Sequence, residues 1–275
     1  MDALFGYGVV GKATAAVFKI PRESCYDQGE VSKALRDMSR KSDGKGWLWI
    51  CVPTPEFNPP AEIPNDIPDG DPSARRIGSC DTSIVEQIIV DFKQLKMPFV
   101  IRSTVIPGTA KRLIEQHGVD IVSFPEFLSE RTAEKDAKRP WMVVVGGRLA
   151  GKFIHDYPNF FSWAAKHMFF DNASAEMVKY SVNCLFATLT IFGNQMYDAC
   201  QKVGITDWDG IEYALARIPW FGMHHLSVMK DGYRGYSGRC LPKDIRAFIA
   251  EYDSPLLKEV DRINEELLRQ RETLS

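Results

Sequence analysis

Short apolar runs alternate with stretches of helical character through the first 170 residues. Residues 3–5, 46–52, 99–102, 120–123 and 141–145 are mostly apolar runs of strand length, and the shorter, more polar 23–26 reads as the second strand. Between them, residues 12–18, 31–38, 81–96 and 109–117 read as helices, with Asp81 as the cap of the third. Strand–helix alternation with short, mostly apolar strands predicts a doubly wound α/β fold, a parallel sheet covered on both faces. Ligands of such a sheet gather at the carboxyl ends of its strands. Thr54, Thr104 and Glu126 fall just past predicted strand ends, on that rim. Residues 56–79 interrupt the alternation with many Pro, Asp and Asn and no period, which predicts a long functional or mobile loop.

After about residue 170 the pattern becomes helical. Residues 172–203 contain no Pro and a single Gly, Gly193, before Gly204 stops the run. A helix of that length spans roughly 45 Å, enough to link two domains. Residues 207–217 form a further helix, and residues 254–274 a last one, with Ser254 as cap, Pro255 in first position, and Leu256, Val260, Ile263 and Leu267 on one stripe. The expected organisation is a sheet domain over residues 1–170 and an all-helical central domain, built on the long helix, over residues 171–275.

Chemistry enters at Gly6-Tyr7-Gly8-Val9-Val10-Gly11, between the first strand and the first helix. This G-x-G-x-x-G spacing makes the sheet Rossmann-like. Gly6 allows the tight turn, Gly8 admits a pyrophosphate to the backbone, and Gly11 lets helix and strand pack closely. The helix N-terminus, with Val9 and Val10, then receives the phosphates. Asp27, ending the second strand, stands where a carboxylate holds the ribose hydroxyls, and an Asp there favours NAD over NADP. Val52, Pro53, Thr54 and Thr104 complete the expected cofactor rim.

A second centre is Gly235-Tyr236-Ser237-Gly238-Arg239-Cys240-Leu241-Pro242-Lys243-Asp244. A thiol follows a glycine-rich turn and precedes a helix opened by Pro242. The positive helix end, Arg239 and Lys243 all favour thiolate, the nucleophilic form. Lys179 and Asn183, spaced i,i+4, share a face of the long helix.

The 275 residues give room for about two domains. A net charge of −2 leaves no basic footprint for nucleic acid. The six cysteines (25, 51, 80, 184, 200, 240) show no zinc spacing, so no metal is expected, and they read as reduced thiols of a cytoplasmic protein. No apolar run reaches membrane-helix length, and the N-terminus has no signal-peptide pattern.

With these motifs in order, the chain resembles the UDP-glucose/GDP-mannose 6-dehydrogenase family. The match runs through the glycine turn, Cys51-Val52-Pro53-Thr54-Pro55, Ser103-Thr104-Val105-Ile106-Pro107-Gly108-Thr109, and Pro125-Glu126-Phe127-Leu128 with Glu130, Ala133 and Asp136. It continues through Ala175-Glu176 with Lys179, Tyr180 and Asn183, then Asp231-Gly232 with Arg234-Gly235-Tyr236, and the Cys240 stretch. The resemblance implies NAD-dependent oxidation of the C6 alcohol of a nucleotide sugar, UDP-glucose first, to the carboxylate. On it, Cys240 holds the C6 carbon as thiohemiacetal and thioester, and Lys179 stabilises an oxyanion or serves the first proton transfer. Asn183 bonds the same oxygen, Asp244 orients Lys179 or a water, and Glu126 activates the hydrolytic water that Thr104 helps to place. Phe127, Leu128, Glu130, Lys179, Asn183, Arg234 and Gly235 would contact the sugar substrate. The family's long helix implies a homodimer, with no nucleic-acid or membrane partner. Relatives usually continue into a third, nucleotide-binding domain, whereas this sequence stops at Ser275, and Ser237 and Arg131 replace usual glycines. A dehydrogenase of another sugar or a sugar phosphate, or a non-catalytic NAD-binding homologue, are the alternatives.

Overall fold

The computed structural model describes residues 2–27, 29–30, 32–34, 37–38, 45–57, 78–162, 167–218 and 232–272. Two compact units are present: residues 1–55 with 81–179, and residues 56–80 with 180–275. Most of the predicted 56–79 loop lies outside the described residues, and so do residues 31, 35 and 36 of the predicted 31–38 helix.

Among its described residues the first unit has seven strands: β1 Ala3–Phe5, β2 Cys25–Tyr26, β3 Leu48–Ile50, β4 Phe99–Ile101, β5 Ile121–Ser123, β6 Val143–Gly146 and β7 His167–Phe170. Their order across the sheet is β2-β1-β3-β4-β5-β6-β7. The first five pair in parallel, for example Leu4 with Trp49 and Trp49 with Val100. The helices are α1 Val9–Phe18, α2 Ser83–Phe92, α3 Thr109–His117, α4 Ala133–Lys138, α5 Ala150–Asp156 and α6 Pro158–Phe161.

Side chains alternate across each strand, and both faces are apolar because both are covered. Ala3, Phe5, Leu48, Ile50, Phe99 and Ile101 face one core, which α2 fills with Val85, Ile88, Ile89 and Phe92. Leu4, Trp49, Cys51, Val100 and Val122 face the other, where Phe18 of α1 and Phe153 of α5 pack. The second core is aromatic: Phe18 lies 4.5 Å from Trp49, and Trp47 lies 5.1 Å from Phe153. Trp47 also donates from Nε1 to Asp156 at 2.9 Å. Each such ring contributes about 1.5–3 kcal/mol by leaving water.

The sheet departs from the all-parallel expectation at β6, which runs antiparallel to β5, while β7 follows β6 in parallel. An antiparallel neighbour needs no crossover over the sheet face. Residues 124–142 therefore leave and return on the edge where β5 ends, and Glu126 stays on the rim. β7 was not anticipated. Other predicted boundaries shorten: a 3₁₀ turn, Arg22–Ser24, takes the first part of the predicted second strand. Thr82 precedes α2, and Asp81 accepts from the Ser83 N–H at 2.9 Å.

Helix α7, Asn172–Lys202, spans 31 residues and passes from the first unit into the second between Lys179 and Tyr180. In the second unit it is joined by α8 Trp208–Ala216, α9 Leu241–Tyr252 and α10 Pro255–Glu272. Asp207 caps α8 by accepting from the Gly210 N–H at 2.9 Å. Cys184, Ala187 and Ile191 of α7 pack with Ile245 of α9 and with Leu257, Val260 and Leu267 of α10. Arg246 of α9 reaches Asp261 at 3.1 Å and Glu56 at 3.6 Å. Leu241, not Pro242, opens α9, so the proline stands in the second helical position; either lies in the first turn, where a missing N–H is harmless.

Candidate active site

The glycine turn has the shape its spacing predicts. Gly6 adopts φ +89°, and its N–H donates to the Tyr26 carbonyl at 2.8 Å. A Cβ on Gly6 would stand 2.6 Å from the Cys51 carbonyl oxygen, and one on Gly11 would stand 1.9 Å from that of Gly6. Gly8 has open space on its outer side and precedes α1 with no side-chain cap. The first N–H groups of α1, at Val9 and Val10, lack intrahelical partners, and no side chain caps the helix start. Asp27 is exposed just past β2. Across the rim, Thr54 donates from its hydroxyl to the Thr104 carbonyl at 2.6 Å, and the Ser103 hydroxyl donates to the Val52 carbonyl at 2.7 Å. These bonds lock the ends of β3 and β4 beside the turn; Pro53 is exposed between them. An uncapped helix start, a Cβ-free approach and a carboxylate at the second strand fit the pyrophosphate and ribose of NAD.

Further along the rim, the buried Glu126 carboxylate uses both oxygens. Oε1 accepts from Lys179 Nζ at 3.1 Å, and Oε2 accepts from the Leu128 N–H at 2.6 Å. Burial pushes this acid up, but Lys179, the Leu128 N–H and Arg102 outweigh it and hold the carboxyl below its usual value. The Lys179 ammonium also lies 5.6 Å from the Phe127 ring centre. Phe127 and Leu128 are half-buried, whereas Glu130 and Arg131 are exposed. Asp136 shapes that turn, accepting from the Ser129 N–H at 3.0 Å and the Thr132 hydroxyl at 2.7 Å.

One turn before Lys179, Glu176 reaches the start of α3. It accepts from the N–H groups of Gly108 (2.7 Å) and Ala110 (3.1 Å) and from the Ser123 hydroxyl (3.0 Å). Burial pushes its carboxyl up to about 7 despite these donors. Ser103, Thr104, Ser123, Glu176 and Lys179 line a common small cavity.

In the second unit, Cys240 is exposed and immediately precedes α9. Asp244, buried in the first turn of α9, accepts from Asn183 Nδ2 at 2.5 Å and from the Lys243 ammonium. Burial lowers the Lys243 pKa, but Asp244 and the thiols of Cys80 and Cys240 raise it more, so the net shift is upward. Lys243 entered the sequence reading only as a charge beside Cys240. Its adjacency to a first-turn Asp was the available signal for its partnership with Asp244.

Arg234 is committed to α7: it donates to the Asn194 side chain at 3.0 Å and carbonyl at 3.1 Å, and pairs with Asp198 at 2.8 Å. Gly235 adopts φ +86°, and a Cβ there would meet Asn264 Oδ1 at 2.6 Å. Arg102, a buried cation beneath Glu126, was not singled out in the sequence. Among the described residues no group of three His, Cys, Asp or Glu is arranged to hold a metal ion.

The fold and glycine turn define an NAD-binding unit of the nucleotide-sugar dehydrogenase type. Residues 27–152 match the NAD-binding domain of the UDP-glucose/GDP-mannose dehydrogenase family, and residues 173–266 match its central domain. The chain belongs to the UDP-glucose/GDP-mannose dehydrogenase family, and NAD is the cofactor its first domain takes. It is 31% identical over 220 residues to a UDP-glucose 6-dehydrogenase of Pseudomonas aeruginosa, a match covering 72% of this chain and 47% of that protein. A GDP-mannose 6-dehydrogenase of Pseudomonas syringae pv. tomato is 30% identical over 221 residues, 71% of this chain and 49% of the relative. The chain thus spans about half the length of the curated relatives it matches. The fold is shared with a UDP-glucose dehydrogenase of Pyrobaculum islandicum at TM-score 0.72 and 24% identity, over 96% of this chain and 68% of that one.

Proposed function

We propose that the chain is an NAD-dependent nucleotide-sugar 6-dehydrogenase, UDP-glucose its first candidate substrate, working through a covalent Cys240 intermediate. The observation that carries this reading is on helix α7: Lys179 and Asn183, one turn apart, are each hydrogen-bonded to a buried carboxylate, Glu126 and Asp244. A helix face bearing an ammonium and an amide held by such anions is suited to stabilising oxygen charge at a reacting carbon. The Gly6–Gly11 turn would hold the pyrophosphate of NAD and Asp27 its ribose, and NAD bound there would supply the hydride acceptor. The roles of the chain's own groups follow from their chemistry.

Cys240, exposed at the start of a helix, attacks the aldehyde carbon as thiolate, giving a thiohemiacetal whose oxygen Lys179 and Asn183 receive. After the second oxidation the carbon is a thioester. Glu126 takes a proton from water as the water oxygen bonds to the carbonyl carbon, and Cys240 leaves as thiolate when the C–S bond breaks. Thr104 helps to place that water. Asp244, with Lys243, fixes the Asn183 amide. Val52, Pro53 and Thr54 line the cofactor rim. Phe127, Leu128, Glu130 and Gly235 face substrate; Arg234 contributes by holding its loop on α7.

We further read residues 1–170 as the NAD-binding domain and 171–275 as the central domain. The chain pairs with a second copy through α7, whose Leu185, Phe192 and Met196, spaced seven and four residues apart, are exposed on one stripe. Among the described residues no helix is long and apolar enough to cross a membrane. No disulfide joins the six cysteines, which supports a reducing, cytoplasmic setting.

The test is NADH formation from a panel of nucleotide sugars and sugar phosphates, with Cys240→Ala in parallel. Two NADH per nucleotide sugar, lost in the variant, is the expected result. NADH from sugar phosphates alone would replace the substrate class, and NAD binding with no turnover would make the chain a non-catalytic homologue.

A further inference from the structure

We infer that Arg102 is a positioning residue, the fixed counter-cation that holds Glu126 as an anion while Lys179 serves the reacting oxygen. The inference rests on the reading of Glu126 as the base of the hydrolytic step. Arg102 follows β4 and is only 6% exposed. Its guanidinium stacks 4.4 Å from the centre of the Phe124 ring, and Nη1 donates to the Phe124 carbonyl at 3.4 Å. Nε has no partner among the described residues. A guanidinium does not give up its proton in a protein, and a buried charge persists only where an anion offsets it.

Burial works against the charge on Arg102, and among the described residues Cys51 and Glu126 offset it. Burial pushes the Cys51 thiol up to about 12, so it is neutral, and it donates to the Thr14 hydroxyl at 3.9 Å. Glu126, two residues beyond Phe124, lines the same cavity as Arg102 and is the anion that remains. The buried set is therefore two cations, Arg102 and Lys179, around one carboxylate. Lys179 is the only one of the two hydrogen-bonded to Glu126, at 3.1 Å.

This arrangement has a chemical consequence. If Lys179 were the sole counter-charge, turning it to a substrate oxygen, or taking its proton, would leave Glu126 alone in a buried site. Burial is the largest influence on that acid and drives it towards the neutral form. A neutral Glu126 cannot take a proton from water. Arg102 keeps the carboxylate charged throughout, because its own contacts are with the Phe124 ring and carbonyl rather than with the reacting oxygen.

The experiment is a carbon-13 carboxyl titration of the whole chain labelled at glutamate, with Glu126→Gln used to assign the signal. In the unaltered chain and in Lys179→Met, the Glu126 carboxyl should remain ionised at neutral pH. In Arg102→Met its midpoint should rise by about one pH unit or more, and Arg102→Lys should restore most of the shift. A Glu126 signal protonated at neutral pH in Lys179→Met, or unmoved in Arg102→Met, would overturn the inference. If Arg102→Met does not fold, the Lys179→Met titration decides alone. In turnover, the acid limb of thioester hydrolysis, read as release of the carboxylate product, should move with the carboxyl; a limb that stays in place while the carboxyl moves would also overturn it. Absence of NADH from every nucleotide sugar would instead refute the proposed function, and the titration would still decide the role of Arg102.

Discussion

Replacing Glu176 by Gln should make the protein more tolerant of neutral and alkaline pH. Glu176 is 4% exposed and supports the start of α3 through Gly108, Ala110 and Ser123. Burial dominates those donors and moves its carboxyl from 4.5 to about 7. An acid whose pKa is raised by folding favours the fold in its protonated form. Its contribution is therefore complete below pH 4.5 and is lost as pH rises towards 7. At about 1.4 kcal/mol per pH unit, the shift amounts to roughly 3 kcal/mol. Gln is neutral at every pH and keeps an amide oxygen for one of the donors. Thermal unfolding of both proteins in matched buffers from pH 4.5 to 8 should show the stability gap moving in favour of Glu176→Gln by ~3 kcal/mol, roughly 5–10 °C in Tm. A gap that stays constant, or that moves in favour of the native residue, would mean that the three donors and the helix terminus outweigh burial, and would refute the reasoning.

Gly11→Ala places a methyl group against the Gly6 carbonyl, a backbone atom that cannot rotate away, and should weaken NAD binding by about tenfold or more in an NADH fluorescence titration; an unchanged Kd would remove the turn from the cofactor site. Lys243→Met leaves the buried Asp244 carboxylate with Asn183 and no cation among the described residues and should destabilise the second unit by about 3–5 kcal/mol in chemical denaturation. A loss under 1 kcal/mol would show that Asp244 is not held as a buried ion. Phe192→Glu, on the exposed stripe of α7, should convert a dimer to a monomer in light scattering at micromolar concentration; a monomer before substitution would refute the dimer.

The parts of this fold legible in the sequence are those fixed by local pattern. Gly6, Gly8 and Gly11 announce their turn because no other residue could occupy two of the three positions, and α7 is visible because 31 residues pass without a proline. Strand direction carries no such mark. The period of Val143–Gly146 is the same whichever way the strand runs, so the reversal at β6 had to come from the pairing of Ser123 with Gly146. Partnerships behave likewise. Lys179 and Asn183 could be placed on one helix face, but that Asp244 takes Lys243 and Asn183 depends on the first turn of α9. Arg102 was hidden because an Arg at a strand end reads as an exposed charge until Phe124 covers it.

The aromatic core on one face of the sheet also gives the protein an optical label. Trp47 and Trp49 are essentially without solvent contact, and the Trp49 indole nitrogen has no partner among the described residues. Trp208, 6% exposed, belongs to the other compact unit, and Trp141 is half exposed. Replacing Trp141, Trp163, Trp208 and Trp220 by Phe would leave Trp47 and Trp49 as the only tryptophans, with an emission blue-shifted while their core is closed and red-shifted once water reaches the rings. The converse background, with Trp208 kept and the other five tryptophans changed to Phe, would report on Trp208. With these two backgrounds, melting of each unit becomes separately visible by colour, without a dye or an added tag.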